Sequence, residues 1–234
     1  MTLNPELSSA VEIPVVPSVE VWRAMSTAAR EAFVVAMNEA LTEAVALMPE
    51  GQPHKKAKSR ALDLLGRHFQ AKGRAVYLAE ELSVLYPNER GFAPDVLAVV
   101  GVEQPEDDER LAWVVAEEGR GLDVVLEVLH HGDRDKDLVF NVERYARLGI
   151  PEYFVYDRAQ QRVVGYRLPT PEARRYERVL PQGGRLPSRV LGVALAVEGN
   201  RLCFWDGTAQ LFSSDDLIQR LNAMVDSLES KADA

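Results

Sequence analysis

The pattern of apolar and polar positions specifies its elements most clearly between Gly121 and Asp157, in the stretch GLDVVLEVLHHGDRDKDLVFNVERYARLGIPEYFVYD, which reads as strand, turn, helix, Gly-Pro stop and strand. Asp123 to Leu129 is an almost unbroken β-branched and aliphatic run, which fits a strand buried on both faces better than an amphipathic edge. One acid, Glu127, stands inside it, and a carboxylate there is costly unless it is paired or ligates a metal. After a polar turn at His130-His131-Gly132, apolar residues recur at Leu138, Val142, Tyr145 and Ala146, along one stripe of an α-helix. Asp133 or Asp135 can cap the start of that helix, and Gly149 and Pro151 close it in the usual C-terminal order. Tyr153 to Asp157 then resumes an aromatic and β-branched strand. Two strands joined by a helix in this way are most simply parallel, with a right-handed crossover.

Upstream, Pro94 to Val100 is a second hydrophobic strand, headed by Pro94-Asp95. Met1 to Pro17 is Pro-rich and aperiodic, the mark of a flexible or extended arm. A helical pattern begins at Ser18, with Val19, Trp22 and Met25 on one face. Another begins at Ser26 and runs to about Leu47, and the Pro49 to Pro53 loop ends this helical lead. From Lys55 to Gln70 the apolar positions Ala61, Leu62, Leu64, Leu65 and Phe69 predict a helix with a basic first turn. Ala75 to Leu85 alternates as a strand, and Tyr86 to Ala93 holds the breakers of a turn leading into Pro94. Glu80 and Glu81 lie in that hairpin, where one of them could reach the site. Trp113-Val114-Val115 is too brief to assign.

Beyond Asp157 the pattern becomes a succession of short strands, at Arg162 to Leu168, Tyr176 to Leu180, Val193 to Val197 and Arg201 to Trp205. Ser213 to Asp216 caps a final amphipathic helix. The expected fold is α/β, a mixed β-sheet core flanked by the helices Lys55 to Gln70 and Asp133 to Leu148. Three parts are expected: an arm and helical lead over 1–51, a central domain over 52–206, and a C-terminal helix over 207–234 packed on that domain.

Composition changes this picture in few places. A chain of 234 residues has room for one main domain with a sizeable core. Its net charge of −9 argues against tight non-specific binding to a phosphate backbone. A local basic groove is still open, and His54, Lys55, Lys56 and Lys58 are the residues that would line it, although charge runs of this kind are more often solvated surface. The single cysteine, Cys203, sits in a strand pattern and reads as a buried structural thiol. No apolar stretch is long enough to span a bilayer and the N-terminus lacks a signal-peptide pattern, so a cytoplasmic protein with no membrane partner is expected. The apolar faces of the lead and of the final helix exceed what the core needs, which points to a homodimer.

The candidate chemistry rests on Asp95 and Glu127. Both sit in hydrophobic strands expected to be neighbours, where their carboxylates can converge on a hard cation such as Mg²⁺ or Mn²⁺. An acid in a strand reading LEV, a following helix with a charged start and a Tyr-Ala pair, the unit LGIPEYFVYD, and Pro-Asp at the head of the upstream strand together resemble the Uma2 family. Those are bacterial proteins of the restriction-endonuclease-like fold with a PD-(D/E)XK nuclease site. The resemblance runs from about Gln52 to about Asp206. It implies a metal-dependent endonuclease acting on DNA, with the metal held by Asp95 and Glu127 and the carbonyl of Val128 completing its coordination.

The third element of that site departs from the family pattern. Nucleases of this fold carry Lys two residues after the second acid, where this chain has Leu129. Uma2 proteins commonly carry it instead four residues before the helix Tyr, where this chain has Asn141. Lys136, in the first turn of the same helix, is the nearest ammonium and is expected to be the migrated catalytic lysine, with an exposed helix position paired to Asp133 or Asp137 as the plainer alternative. His130 and His131 follow the second acid and can face the same cleft, though without a third ligand at metal spacing they make no zinc site. The missing lysine leaves a second function open, a catalytically weakened nucleic-acid-binding or regulatory protein that keeps the fold. In a third, Asp95 and Glu127 are merely neutralised core acids.

Overall fold

The structure, a computed structural model, describes residues 12–46, 51–105, 107, 109–129 and 136–232. The helical lead forms α1 (Val19–Ala24), capped by the Ser18 hydroxyl, and α2 (Thr27–Ala46). Next come α3 (Gln52–Ala71), β1 (Val76–Ala79), β2 (Ser83–Leu85), β3 (Val96–Val100), β4 (Ala112–Val114) and the short α4 (Val115–Glu118). The Gly121 to Asp157 unit supplies β5 (Val124–Leu129), a π-helical turn (Lys136–Phe140), α5 (Asn141–Arg147) and β6 (Glu152–Asp157). The C-terminal third gives β7 (Arg162–Arg167), β8 (Glu177–Arg178), β9 (Leu186–Ser188), β10 (Val193–Glu198), β11 (Arg201–Asp206), β12 (Ala209–Gln210) and α6 (Ser214–Ala232).

The main sheet has the order β1-β3-β5-β6-β7-β8 and is mixed, with β5 and β6 parallel and every other pairing antiparallel. The three strands expected at its centre, β3, β5 and β6, are adjacent there, and β5 is buried along its whole length. A four-stranded antiparallel sheet, β12-β11-β10-β9, packs beside it, and β2 pairs with β4 in a small parallel ribbon. Two expectations change here. The single strand read over Ala75 to Leu85 is two strands in different sheets, because the chain turns at Glu81, whose φ is +54°. The short Trp113 segment is β4, secured by a fully buried indole that donates to the Arg120 carbonyl at 3.0 Å.

Period-two alternation divides the core between the two faces of the sheet. Val96, Ala98, Val124, Leu126 and Val128 join Leu64, Leu65 and Phe69 of α3 in one cluster, which continues into Leu195 and Phe204 of the smaller sheet. Leu97, Val99, Val125 and Leu129 join Tyr145 of α5, Tyr153 and Trp113 in the other. The lead packs through Trp22, Met37 and Leu41 on β2 and β4. The first turn of α6 is tied down by Asp63, which accepts from the backbone and hydroxyl of Ser214. Farther along α6, Ile218, Leu221, Met224 and Val225 are exposed. No helix among the described residues is long and apolar enough to cross a membrane.

At Gly165 in β7 the strand backbone runs close against core side chains. A Cβ there would lie 2.8 Å from Cε1 of Phe154 and 3.1 Å from Cβ of Val179. Gly165→Ala is therefore expected to cost about 1–3 kcal/mol of stability through overpacking, read as a lower urea midpoint in equilibrium unfolding.

Candidate active site

The antiparallel register of β3 and β5 assembles the site. The pairs Ala98↔Val124, Leu97↔Val125 and Val96↔Leu126, continued by one residue, set Asp95 opposite Glu127. Where the ladder ends, side chains take over its hydrogen bonds. The Asp95 N–H donates to Glu127 Oε2 at 3.1 Å, and the Val128 N–H donates to Asp95 Oδ2 at 2.6 Å. Each carboxylate is thus fixed by the backbone of the other's strand. Tyr145 of α5 donates its hydroxyl to Glu127 Oε1 at 2.8 Å, so the helix after the strand also braces the acid.

The two acids differ in environment. Glu127 is 4 % exposed, and burial, followed by the charges of Asp95 and Asp137, holds its carboxyl well above the ordinary value, with Lys136 opposing. Burial works to raise Asp95 too, but the His54 imidazole, the Val128 N–H and the Lys58 ammonium outweigh it and leave it below the ordinary value. Two facing carboxylates, one eased down and the other driven up, are the pattern of a pair that shares a proton or a cation.

Around them is a cavity of about 700 Å³. Asp95, Glu127, Lys136, His54, Glu81 and Asn141 line it, and the last turns of α2 contribute Leu41 and Thr42. Lys136 sits exposed at the start of the π-helical turn, and its charge acts on Glu127. Asn141 is buried and donates to Asp137 Oδ1 at 3.0 Å, while Leu129 belongs to the apolar cluster, so no cation stands at either family lysine position. His130, His131, Asp133 and Asp135 lie outside the described residues.

The basic stretch of α3 divides. Lys55 and Lys56 are exposed, but His54 and Lys58, expected beside them along a surface groove, are buried. His54 Nε2 lies 3.1 Å from Asp95 Oδ2, and the Lys58 ammonium pairs with Glu81 and stands 3.8 Å from Asp95 Oδ1. The signal for this was in the helix phase. His54, Lys58, Ala61 and Leu65 are spaced four, three and four apart, the buried stripe of α3, so the two bases belong to its inward face. His68 is buried on that helix as well. Asp157 is fully buried, with Oδ1 accepting from the Gln160 N–H at 3.1 Å, which makes it the cap of the following turn.

The donor set fits a hard divalent ion. Asp95 and Glu127 present carboxylate oxygens to one cavity, and the repulsion between them is of the kind a cation relieves. Among the described residues no group of three or more His, Cys, Asp and Glu could hold a metal.

In the metal-free protein, Glu127 makes stability depend on pH. Below its ordinary value of 4.5 the carboxyl is protonated in both folded and unfolded chains and contributes nothing. Above it the unfolded chain releases the proton while folded Glu127 retains it, so its contribution turns against folding until the raised pKa is passed. Glu127→Gln is expected to flatten the decline in melting temperature between pH 4.5 and neutrality, as followed by thermal unfolding in chelator. An unchanged slope would place the titration elsewhere.

Comparison with known proteins gives a solved structure and a family. One solved structure, described as "Crystal structure of a putative nuclease belonging to DUF820 from Anabaena variabilis", matches at 17% identity with a TM-score of 0.46, over 62% of this chain and 75% of that one. No curated protein matches. The Uma2 family, described as "Putative restriction endonuclease", matches residues 40–198, more than half of the sequence and all the residues of the candidate site, and the chain belongs to that family.

Proposed function

We propose that this protein is a divalent-metal-dependent endonuclease that hydrolyses DNA phosphodiester bonds, with Asp95 and Glu127 holding a Mg²⁺ or Mn²⁺ ion. The observation that carries the reading is the opposition of these two carboxylates across β3 and β5, braced by reciprocal backbone hydrogen bonds at the edge of a cavity. Membership of a restriction-endonuclease family supports it. When bound, such an ion polarises the phosphoryl group and lowers the pKa of a water nucleophile.

The remaining work falls to this chain's own side chains. Tyr145 holds Glu127 through its Oε1, leaving the carboxylate one orientation. Lys136, Arg110 and Arg144 line the cavity and place positive charge where a phosphate would enter, which offsets locally the acidic balance of the whole chain. Lys136 is the residue of that group proposed to act on the reacting phosphate, in place of the lysine missing at Leu129 and Asn141.

The test is nicking of supercoiled plasmid with Mg²⁺ or Mn²⁺. Asp95→Ala and Glu127→Ala are expected to abolish divalent-ion-dependent cleavage, and Lys136→Ala to lower it by about a hundred- to ten-thousand-fold. Cleavage at the parent rate in both acid variants would put the active site elsewhere. A parent protein silent on plasmid, linear and single-stranded DNA, yet still binding duplex, would favour the weakened nucleic-acid-binding reading.

A further inference from the structure

The cluster of Glu81, Lys58 and Asp95 holds a feature that the proposed mechanism leaves unused. Lys58 is a lysine with 3 % side-chain exposure, and an ammonium is not buried at that level without strong compensation. Its compensation among the described residues includes two carboxylates from two different segments: an ion pair with Glu81, and Asp95 Oδ1 at 3.8 Å. Glu81 lies in the left-handed region at φ +54°, a costly conformation for a residue with a side chain, and its N–H is held by the Pro94 carbonyl at 3.0 Å. The backbone is therefore bent just where this carboxylate meets the lysine, one residue's hydrogen bond away from Asp95. Glu81 also lines the cavity, with 49 % of its side chain exposed.

An ammonium flanked by carboxylates, one of which also faces a second acid, supplies positive charge beside the acids, as a second divalent ion does in a two-metal phosphodiester site, where the cations lie about 4 Å apart. We propose that Lys58 is a built-in replacement for that second ion. The chain then binds a single divalent cation, between Asp95 and Glu127, and the Glu81–Asp95 position is closed to metal by the lysine. Lys58 is a positioning residue in this account: it holds the Oδ1 side of Asp95 and balances the charge of Glu81. The inference rests on the proposed metal site at Asp95 and Glu127.

Isothermal titration of chelator-treated full-length protein with Mn²⁺ separates the two claims without any assay of cleavage. The parent protein is expected to bind one ion. Lys58→Ala, which removes both the charge and the stem that fills the position, is expected to bind two, and Lys58→Arg to bind one. Lys58→Ala combined with Glu81→Gln is expected to return to one, since the second position loses a carboxylate. If Lys58→Ala does not fold without metal, Mn²⁺ should restore its thermal unfolding transition, with a larger upward shift than the parent shows. No binding by the parent defeats the metal site itself. One ion in the parent with still only one in Lys58→Ala, or no rescue of an unfolded Lys58→Ala by Mn²⁺, overturns the role of Lys58 and leaves the site intact.

Discussion

Two hydrogen bonds at the open end of the β3–β5 ladder hold the candidate site together. The Asp95 N–H on Glu127 and the Val128 N–H on Asp95 replace the ladder bonds that would otherwise come next. They force two carboxyl groups into proximity inside a protein, an arrangement that burial and mutual repulsion oppose and that holds Glu127 well above its ordinary value. The surroundings answer that repulsion from every side. His54 and Lys58 come from α3, the Tyr145 hydroxyl from α5, and the charge of Lys136 from the π-helical turn. Perturbed acids gathered with bases at a cavity are the kind of cluster in which functional sites are found, and the proposed cation site rests on it.

The sheet explains why α3, at one end of the chain's core, and α5, at the other, can both reach this point. Parallel pairing of β5 with β6 requires a crossover, and α5 is that crossover, so its tyrosine returns over Glu127. On the opposite face α3 lies against β3 and β5, and its first turns meet Asp95 where the strand begins. The acid pair is thus tied to regular elements, with Glu127 inside β5 and Asp95 directly before β3, which limits how far the two acids can drift.

Much of this was legible in the residues. Glu127 stood out because an acid in a continuous apolar strand has to be accounted for, and the parallel β5–β6 unit followed from a helix with clear start and stop signals. What was not legible had specific causes. His54 and Lys58 were read as surface because a run of bases outweighed the helix phase that turns two of them inward. The break at Glu81 was missed because a left-handed glutamate gives no compositional sign, unlike a glycine or an asparagine. The partnership of Tyr145 with Glu127 depends on a contact across eighteen residues that periodicity cannot register.

The absence of lysine from both Leu129 and Asn141 gains a physical meaning in this arrangement. Leu129 is packed in the apolar cluster and Asn141 is engaged by Asp137, so a lysine at either place would enter an already filled environment. Positive charge reaches the acids from α3 and from the π-helical turn instead. The account therefore depends on a cation lying between Asp95 and Glu127. A crystal soaked in Mn²⁺ and measured at the manganese absorption edge tests it most directly. The account predicts one anomalous peak about 2.1 Å from a carboxylate oxygen of each acid. A fully soaked crystal with no peak there, or with manganese bound only elsewhere, would contradict it.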